Sequence, residues 1–555
     1  MRLSELPDNW DLIVIGGGIT GAGILREATR MGLSAILVEQ KDFAWGTSSR
    51  SSKLVHGGLR YLKEGKFKLT KIAVEEREHL LKDAPGLVES LGFLLPVYED
   101  QRPGKRTLSV GLSIYDIMAR ERQHRFYDAA EFKKHIPFIN PQGLTGGFYY
   151  VDAQTDDSRL VLRLIHESIA AGARALNYTS VTKILRNEKN RVIGAQIVDT
   201  ESLEKKILRA PAVINATGCW AETLHPSPEP RRHLRPLRGS HLVFPARVIP
   251  LTLGFGFMHP LDNRSVFMVP WEGAVLVGTT DLDHRGDLSA EPTITETEIS
   301  YLMEGIEAIF PTLNVTLNDC IAAFAGVRPV LSEDDRPPSE ESREHVVWVD
   351  GGLVTVTGGK LTTFRRLAWD ALKATQPFLP SVKLPDRRDS IFLKVPAKPE
   401  KECGLSAQAW SRLFGRYGAA ANALVQAAAS EDLTYISGTY TLWAELPFAA
   451  GTGNIRHLDD LMLRRVRIGL LTPYGGKAYL KRIRKLCKKS LPWNRRRWKE
   501  EIANYLDLWA QAHALPAQRA KIIEERKFFA ARAIKAIADN LRIKLGLKKQ
   551  FQPAD

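Results

Sequence analysis

The chain has 555 residues, of which 44% are hydrophobic and 25% charged, and its formal net charge is +15 at pH 7. The length allows about three domains with a large core, and the composition excludes disordered and collagen-like proteins. The positive charge favours polyanionic partners such as phosphorylated ligands, anionic lipid or nucleic acid, and does not by itself choose among them.

The cysteines and the apolar segments of the chain indicate which compartment the protein occupies and what kind of membrane contact it can make. The four cysteines stand far apart with no CxxC pair, so we expect no disulfide framework and no metal site, which suits a reducing cytoplasm. The first residues lack a basic segment followed by an apolar one, so no signal peptide is expected. No run of about 18 apolar residues occurs, which predicts peripheral membrane contact at most.

The first predicted unit is a strand, a glycine-rich turn, a helix and a second strand. Residues 11–15 read DLIVI, an apolar run typical of a buried parallel strand, and GGGITG follows at 16–21. A helical pattern runs to Met31 and ends at Gly32, and residues 35–38 read as the next strand. This order is the pattern of a dinucleotide-binding unit.

The glycines and the acid of this unit have separate roles. Gly16 allows the tight turn, Gly18 lets the backbone approach a pyrophosphate, and Gly21 lets helix and strand pack closely. The start of the helix, at Thr20, offers unpaired N–H groups to phosphates. Glu39 ends the second strand, where a carboxylate accepts both ribose hydroxyls, and an acid at this position favours FAD or NAD over NADP.

Three later segments favour FAD over NAD. They are SSRSSKLVHGGLRY at 48–61, AVINATGCW at 212–220 and GGKLTT at 358–363. In each, small and hydroxyl residues stand where a backbone can come close to a ligand, although such clusters also form plain loops.

These segments resemble those of a known family. The opening unit and AVINATG resemble the flavoproteins that include amine and amino-acid oxidases. SSKLVHGGLRYL, GTTD at 278–281, AGVRPV at 325–330, GGKLTT and RHLDDLMLRRVRIGLL at 456–471 together resemble FAD-dependent, quinone-linked glycerol-3-phosphate dehydrogenases. The resemblance implies an α/β fold with three parts: a Rossmann-like FAD-binding domain of the amino-acid-oxidase-like class, an antiparallel-sheet substrate domain and a C-terminal helical cap.

The resemblance also implies where these domains lie, with both of the first two domains discontinuous. We expect the FAD-binding domain at 1–92, 160–217 and 326–378, the substrate domain at 93–159 and 218–325, a linker at 379–403, and the cap with a basic amphipathic tail at 404–555.

The implied reaction is oxidation of sn-glycerol 3-phosphate to dihydroxyacetone phosphate, with hydride transfer from C2 to N5 of FAD. The electrons would pass to ubiquinone or menaquinone. A phosphate dianion must be gripped and oriented, and an arginine fork binds its oxygens bidentately. Arg60 and Arg328 resemble family arginines close to the substrate, Arg343 is a third candidate, and Lys360 would place a cation near the flavin or phosphate.

The group that takes the hydroxyl proton stays open. His56 stands four residues before Arg60 in the same motif and titrates near neutral pH, so it is a candidate base. The alternative is a structural histidine beside the flavin. Thr279 or the neighbouring Thr280 is a candidate for a hydrogen bond to a substrate hydroxyl. We therefore assign His56, Arg60, Arg328 and Thr279 to the catalytic group.

The remaining small and hydroxyl residues of these motifs are expected to contact FAD. They are Gly16, Gly18, Thr20, Gly21, Glu39, Thr47, Ser48, Ser49, Ser52, Lys53, Thr217, Gly218, Gly359, Leu361 and Thr362.

Two basic stretches follow the family motifs. Residues 481–499 contain ten Lys or Arg and no acid, with Trp493 and Trp498 interleaved, and 521–547 has a basic helical pattern with one apolar face. Such features suit an anionic membrane surface, although an apolar stripe usually packs in a core. With the resemblance, they predict a peripheral protein on the cytoplasmic face of the cell membrane. No calcium-binding loop occurs after residue 471, which points to the bacterial type.

Three alternatives remain. An oxidase of the same fold would pass electrons to oxygen, and an amine or amino-acid oxidase would need a single carboxylate clamp rather than several cations. A basic nucleic-acid-binding protein is permitted by the charge, but no zinc finger or RNP motif supports it, so we expect no nucleic-acid partner. The oligomeric state stays open, a homodimer being one option.

Overall fold

The computed structural model describes residues 2–63, 65–226, 233–332, 344–394, 404–522 and 524, without the side chains of Arg60 and Lys63. Its strands are β1 (Leu12–Ile15), β2 (Ala35–Val38), β3 (Leu54–Val55), β4 (Val88–Tyr98), β5 (Arg125–Asp128), β6 (Leu144–Thr155), β7 (Arg174–Leu176), β8 (Thr179–Arg186), β9 (Val192–Asp199), β10 (Lys205–Arg209), β11 (Ala212–Asn215), β12 (His233–Pro245), β13 (Gly254–Met258), β14 (Ser265–Trp271), β15 (Ala274–Gly278), β16 (Leu282–Asp283), β17 (Ala322–Ser332), β18 (His345–Asp350) and β19 (Leu353–Gly358).

The helices follow the same chain order. They are α1 (Ile19–Arg30), α2 (Leu59–Lys63), α3 (Phe67–Asp83), α4 (Lys105–Ala119), α5 (Ala129–His135), α6 (Asp157–Ala170), α7 (Ala221–Leu224), α8 (Glu296–Ile309), α9 (Phe364–Thr375), α10 (Ala407–Tyr417), α11 (Ala420–Ala427), α12 (Glu445–Thr452), α13 (Ile468–Leu471), α14 (Leu480–Cys487) and α15 (Arg495–Ala512).

The first layer is a sheet in the order β18-β19-β11-β1-β2-β7, parallel except for the edge strand β18. Alternate residues of β1 face different neighbours. Leu12 and Val14 join the core formed with α1, α6 and α9, whereas Ile13 and Ile15 join the core shared with the three-stranded antiparallel sheet β8-β9-β10. Burial on both faces explains why this strand reads as a continuous apolar run.

The second layer is a larger, mainly antiparallel sheet in the order β16-β12-β15-β14-β13-β4-β6-β3, with β17 paired to β12 and β5 to β6. Residues 239–245, 265–269 and 274–278 lie within β12, β14 and β15. The predicted domain boundaries at 92 and 326 both fall inside strands of this sheet, β4 and β17. Strand β4 pairs with both β6 and β13, and β17 pairs with β12. The domain boundaries stay a prediction.

Helices α10 to α15 form the third part, where the sequence predicts a helical cap. The apolar stripe of α14 (Leu480, Ile483 and Cys487) is buried in the core of this cap. Trp498 is also buried and packs against Trp493 with ring centroids 4.8 Å apart. These side chains are therefore used for packing, with Trp493 half-buried against the same core. Membrane contact through this stretch stays a prediction. The predicted tail helix at 521–547 lies almost wholly outside the described residues.

Among the described residues, no helix combines the length and apolar character needed to span a bilayer. Within the same part of the chain, His, Cys, Asp and Glu side chains form no group of three or more that could hold a metal ion.

Candidate functional site

A cavity of about 1350 Å³ is lined by both main sheets. Its wall includes the ends of β1 and β2 and the residues just after β11 in the parallel sheet, and residues of β4, β12, β14 and β17 in the large sheet. Small-molecule sites usually have about 300–1,000 Å³. The volume therefore suits a large cofactor together with a substrate.

The glycine-rich turn forms one end of this cavity. Gly16 has φ +108°, and a Cβ there would lie 2.5 Å from the carbonyl oxygen of Ala216. A Cβ on Gly21 would lie 1.9 Å from the Gly16 carbonyl oxygen, so this glycine permits close packing of α1 on β1. Gly18 and Thr20, at the start of α1, lie in the cavity wall. This is the geometry in which a helix N-terminus receives phosphate.

The Glu39 carboxylate lies in the wall just past the end of β2. It accepts hydrogen bonds from the backbone N–H groups of Gly17, at 2.7 Å, and Lys41, at 2.9 Å. Burial raises the pKa of Glu39, while these two N–H groups act in the opposite direction. The turn thus holds the acid at the position where a ribose would meet it.

A short turn, Thr47–Ser49, closes over the start of α1. The Ser48 hydroxyl accepts a hydrogen bond from the N–H of Ile19 at 2.9 Å. A Cβ on Gly18 would come within 3.1 Å of that same hydroxyl, so a larger residue there would press on the Ser48 side chain. Thr47 and Ser48 both lie in the cavity wall.

Two further motifs bring backbone to the same cavity. Thr217 and Gly218 follow β11, and Gly218 has φ +61° with open space where a Cβ would be. Gly359, Leu361 and Thr362 follow β19 and lie in the wall as well. A helix N-terminus, an acid just past the end of β2 and three glycine-bearing turns around one large cavity fit FAD.

The predicted cation Arg328, on β17, lies in the wall with its guanidinium held by two side chains. Nη1 donates to Asp281 at 2.7 Å and Nη2 donates to the hydroxyl of Thr279 at 2.8 Å. Arg264 also reaches Asp281, with 3.7 Å between Nη2 and Oδ2. Thr280, in contrast, donates its hydroxyl to Glu298 away from the cavity, so Thr279 is the threonine that faces the site.

His56 and Lys360 also lie in the wall and are close to one another. The N–H of His56 donates to the Thr362 hydroxyl at 3.1 Å, and the Lys360 ammonium lies 3.4 Å from the carbonyl oxygen of Gly57. The same ammonium stands 4.6 Å from the ring centroid of Tyr61. The motif at 52–61 and the motif at 358–363, separated by about 300 residues, therefore meet at one place.

The sequence did not point to His241, Asp281 or Arg264, which also line the cavity. The Nε2 atom of His241 lies 2.8 Å from the Ser52 hydroxyl, and its ring stacks on Phe324. Burial and then the nearby cations hold the pKa of His241 well below its usual value, so the ring is neutral at pH 7. Asp281 closes the GTTD motif, a signal available in the sequence, whereas no motif marks His241 or Arg264.

Most of the predicted FAD contacts lie in the wall, and three do not. Gly21 packs helix on strand, Ser49 turns its side chain into the protein, and Lys53 is fully buried. The Lys53 ammonium donates to the Asp157 carboxylate and to the Ser49 carbonyl oxygen, each at 2.7 Å. The Lys53 side chain therefore does not reach the cavity, because the buried carboxylate holds it away. The side chain of Arg60 and all of Arg343 lie outside the described part.

The fold and this cavity define a flavoprotein oxidoreductase. A family model described as FAD dependent oxidoreductase matches residues 11–365, and one described as the C-terminal domain of alpha-glycerophosphate oxidase matches 390–498. FAD is therefore the cofactor, as the glycine-rich turn and the FAD-typical motifs predict.

Similar proteins of known name identify the family within the flavoprotein oxidoreductases. An aerobic glycerol-3-phosphate dehydrogenase of Staphylococcus haemolyticus (strain JCSC1435) is 33% identical over 486 residues, covering 82% of this chain and 86% of the relative. The chain belongs to the family of FAD-dependent glycerol-3-phosphate dehydrogenases. A Bacillus subtilis (strain 168) protein of the same name is 39% identical over 365 residues, and the match spans 65% of each chain, just under two thirds of the relative's length.

Solved structures agree with this assignment. A glycerol-3-phosphate dehydrogenase from Bacillus halodurans complexed with FAD superposes with a TM-score of 0.71 at 25% identity, covering 90% of this chain and 95% of that one. An L-alpha-glycerophosphate oxidase from Mycoplasma pneumoniae, with FAD bound, has a TM-score of 0.56 at 18% identity, covering 70% and 100%. The second comparison supports the fold alone.

Proposed function

We propose that the protein oxidises sn-glycerol 3-phosphate to dihydroxyacetone phosphate and passes the electrons to a membrane quinone, ubiquinone or menaquinone. The observation that carries the proposal is the fixed guanidinium of Arg328 in the wall of the FAD cavity, with Lys360 and His56 lining the same space. Such an arrangement suits a small alcohol that carries a phosphate. The names of the curated relatives support the same substrate.

FAD, when bound, supplies the acceptor for the hydride that leaves C2 of the alcohol, at its N5 atom. The guanidinium of Arg328 binds the phosphate as a fork and is oriented before the substrate arrives, because Asp281 and Thr279 already hold it. Lys360 adds a second cation. Arg60 and Arg343 remain proposed substrate contacts on the strength of their motifs.

His56 is the proposed acceptor of the hydroxyl proton. His241, the other histidine in the wall, has its Nε2 within hydrogen-bond distance of Ser52, and its Nδ1 atom is fully buried with no partner among the described residues. Neither nitrogen of His241 is well placed to receive a proton from a substrate. We assign His241 to holding Ser52 and His56 to the base.

An apolar part of the cavity wall supports a quinone as acceptor. Helices α2 and α4 and strand β4 contribute Leu59, Leu108, Ile114 and Phe93 beside the polar site. The rim carries Val110, which is 61% exposed. A hydrophilic phosphate ester gains little from such a surface, whereas a quinone ring and its apolar chain would bury against it.

A basic surface on the cap supports contact with an anionic membrane on the cytoplasmic side. The solvent face of α14 carries exposed Lys and Arg side chains, whereas its apolar face is buried. Contact through this surface would therefore be electrostatic and would weaken as salt is added. The exposed residues are Lys481, Arg482, Arg484 and Lys485 in the helix and Lys488 and Lys489 just after it.

The acceptor and the substrate can each be tested with the purified protein. Turnover with glycerol 3-phosphate is measured with a soluble quinone analogue without oxygen, and separately as oxygen uptake without quinone. Quinone reduction at least tenfold faster than oxygen uptake supports the proposal, and the reverse order assigns an oxidase. A panel of amino acids and amines under the same conditions should give no turnover.

A further inference from the structure

The segment at 464–467 carries three arginines whose side chains are almost completely buried. Arg464, Arg465 and Arg467 are 2%, 0% and 1% exposed. A buried guanidinium is tolerated only when its charge and N–H groups are met by partners. Some partners of these three lie within the cap, such as Asp460 and the carbonyl oxygen of Gly453, and the others lie in the FAD-binding part of the chain.

Two of these arginines meet one carboxylate of the FAD-binding domain. Arg465 donates to both oxygens of Asp42, at 2.6 and 2.7 Å, and Arg464 donates to one of them through Nε. Asp42 is fully buried and lies three residues after Glu39. The cap thus fixes the chain just past the ribose-binding acid.

The third arginine, Arg467, contacts the other end of the segment that begins at Asp42, which is Ser49. Nη2 of Arg467 donates to the carbonyl oxygen of Ser49 at 2.8 Å, and Lys53 donates to that oxygen at 2.7 Å. Ser49 is the last residue of the Thr47–Ser49 turn, whose first two residues line the cavity. Arg467 also reaches Asp157, which holds Lys53, at 3.3 Å.

Between these two anchors the chain has little regular structure of its own. The Thr47–Ser49 turn is the only helical element from 42 to 49, and this stretch forms no strand. Yet it supplies Trp45, Gly46, Thr47 and Ser48 to the cavity wall. Between the anchors, the N–H of Ala44 donates to the Gly17 carbonyl oxygen and Nε1 of Trp45 donates to Glu291, each at 2.9 Å. The anchors fix the two ends of the stretch, so a shift of either end would move the Thr47–Ser49 turn.

We infer that the arginines of the cap segment 464–467 act as a clamp that sets how tightly FAD is held, with Arg467 as a positioning residue for the Thr47–Ser49 turn. The inference depends on FAD as the cofactor and not on the proposed substrate or acceptor. The cap arginines thereby hold, from outside the cavity, the segment 42–49 that lines the FAD site.

The test compares Arg467→Met and Arg467→Lys with a matched control, Arg412→Met. Arg412 is another buried arginine of the cap, paired with Glu272 and Glu445, and it has no contact with residues 42–49. FAD release from the holoenzyme is followed by the rise in free-flavin fluorescence, and thermal unfolding is measured on the same samples.

We expect Arg467→Met to release FAD about tenfold faster than the wild type or more, the size expected for loss of a charge-assisted hydrogen bond. Arg467→Lys should lie between the two, and Arg412→Met should lower thermal stability while releasing FAD at the wild-type rate. If Arg467→Met does not fold, Arg467→Lys and Asp42→Asn, at the other anchor, are compared with Arg412→Met in its place. Release rates that track thermal stability equally in all variants would overturn the inference.

Discussion

The carboxylate of Asp281 holds the guanidinium of Arg328 in the cavity wall, with 2.7 Å between Oδ1 and Nη1. Asp281 is 2% exposed, whereas about a quarter of the Arg328 side chain remains exposed. The acid is thus buried behind the cation and orients it toward the open space. Orientation of this kind lowers the barrier of the chemical step because less freedom is lost in reaching the transition state.

The first prediction separates two effects of Asp281, which orients the Arg328 guanidinium and also adds a negative charge near it. In Asp281→Asn a negative charge is removed, which favours binding of a phosphate dianion, but the guanidinium is held less firmly. We therefore expect kcat to fall about tenfold while KM stays the same or decreases. Asp283→Asn is the control, because Asp283 pairs with Arg235 at the surface. Equal kinetics for the Asp281 variant and the wild type would contradict the orienting role.

A second prediction concerns the packing of α1 on β1. Gly21→Ala places a methyl group 1.9 Å from the Gly16 carbonyl oxygen, so the helix must move away from the turn. We expect a loss of about 3 kcal/mol or more in unfolding free energy and weaker FAD binding. Gly111→Ala is the control: its Cβ would meet only Leu59, at 3.9 Å, and alanine in a helix is favoured by about 1 kcal/mol over glycine. Urea unfolding and FAD titration of the two variants make the comparison.

A third prediction follows from His457, which joins the cap to Glu201 of the FAD-binding domain. Nε2 lies 2.8 Å from Glu201, and Nδ1 lies 3.2 Å from Glu501. The hydrogen bonds to Glu201 and then Glu501 raise the pKa of His457 to about 10. Because the folded-state pKa lies above the unfolded value of about 6.5, the stabilisation is fully present below pH 6.5 and is lost as the pH rises through about 10.

The measurement is urea unfolding of the wild type and His457→Gln with excess FAD at several pH values. The wild type should be more stable by about 1–3 kcal/mol near pH 6, a range that allows for solvent screening of this partly exposed group. The difference should shrink between pH 8 and pH 10. A difference that is constant over this range would show that the histidine stays neutral.

The final prediction concerns Glu39, the acid predicted to bind the ribose of FAD. Glu39→Gln keeps the size of the side chain but replaces one acceptor oxygen with an NH₂ group, which cannot accept from the Gly17 or Lys41 N–H. We expect FAD affinity to fall about tenfold or more, with the substrate KM of the FAD-saturated enzyme nearly unchanged. Glu5→Gln, on the surface, serves as the control. Unaltered FAD affinity in the Glu39 variant would remove this residue from the cofactor site.

Features that depend on residues close together in the sequence can be predicted from it, whereas features that depend on contacts between distant residues cannot. The strand, glycine turn, helix and acid at the N-terminus are local, because each residue acts on its near neighbours, and the structure places them as predicted. Sequence motifs point to Arg328, Thr279 and Lys360, and the structure brings all three to one cavity. Their roles toward a substrate remain predictions.

The missed features depend on contacts between distant parts of the chain. His241 faces the cavity because of the register of β12, which no local pattern reveals. Arg467 and Ser49 are 418 residues apart in sequence. The motif at 456–471 contains Arg467, but it does not reveal which residues this arginine contacts. In the basic stretch at 481–499 most Lys and Arg side chains are exposed, whereas Trp498 is buried and Trp493 is half-buried, because apolar and aromatic side chains pack together when a core is available.

The most direct test of the account is anaerobic reduction of the bound flavin in the purified yellow protein. Glycerol 3-phosphate should abolish the visible flavin absorbance, while glycerol at the same concentration should not, because it has no phosphate for Arg328 to bind. Arg328→Ala should stay yellow and should fail to bleach. A protein that carries no flavin and takes up none, or one that glycerol bleaches equally well, would contradict the account.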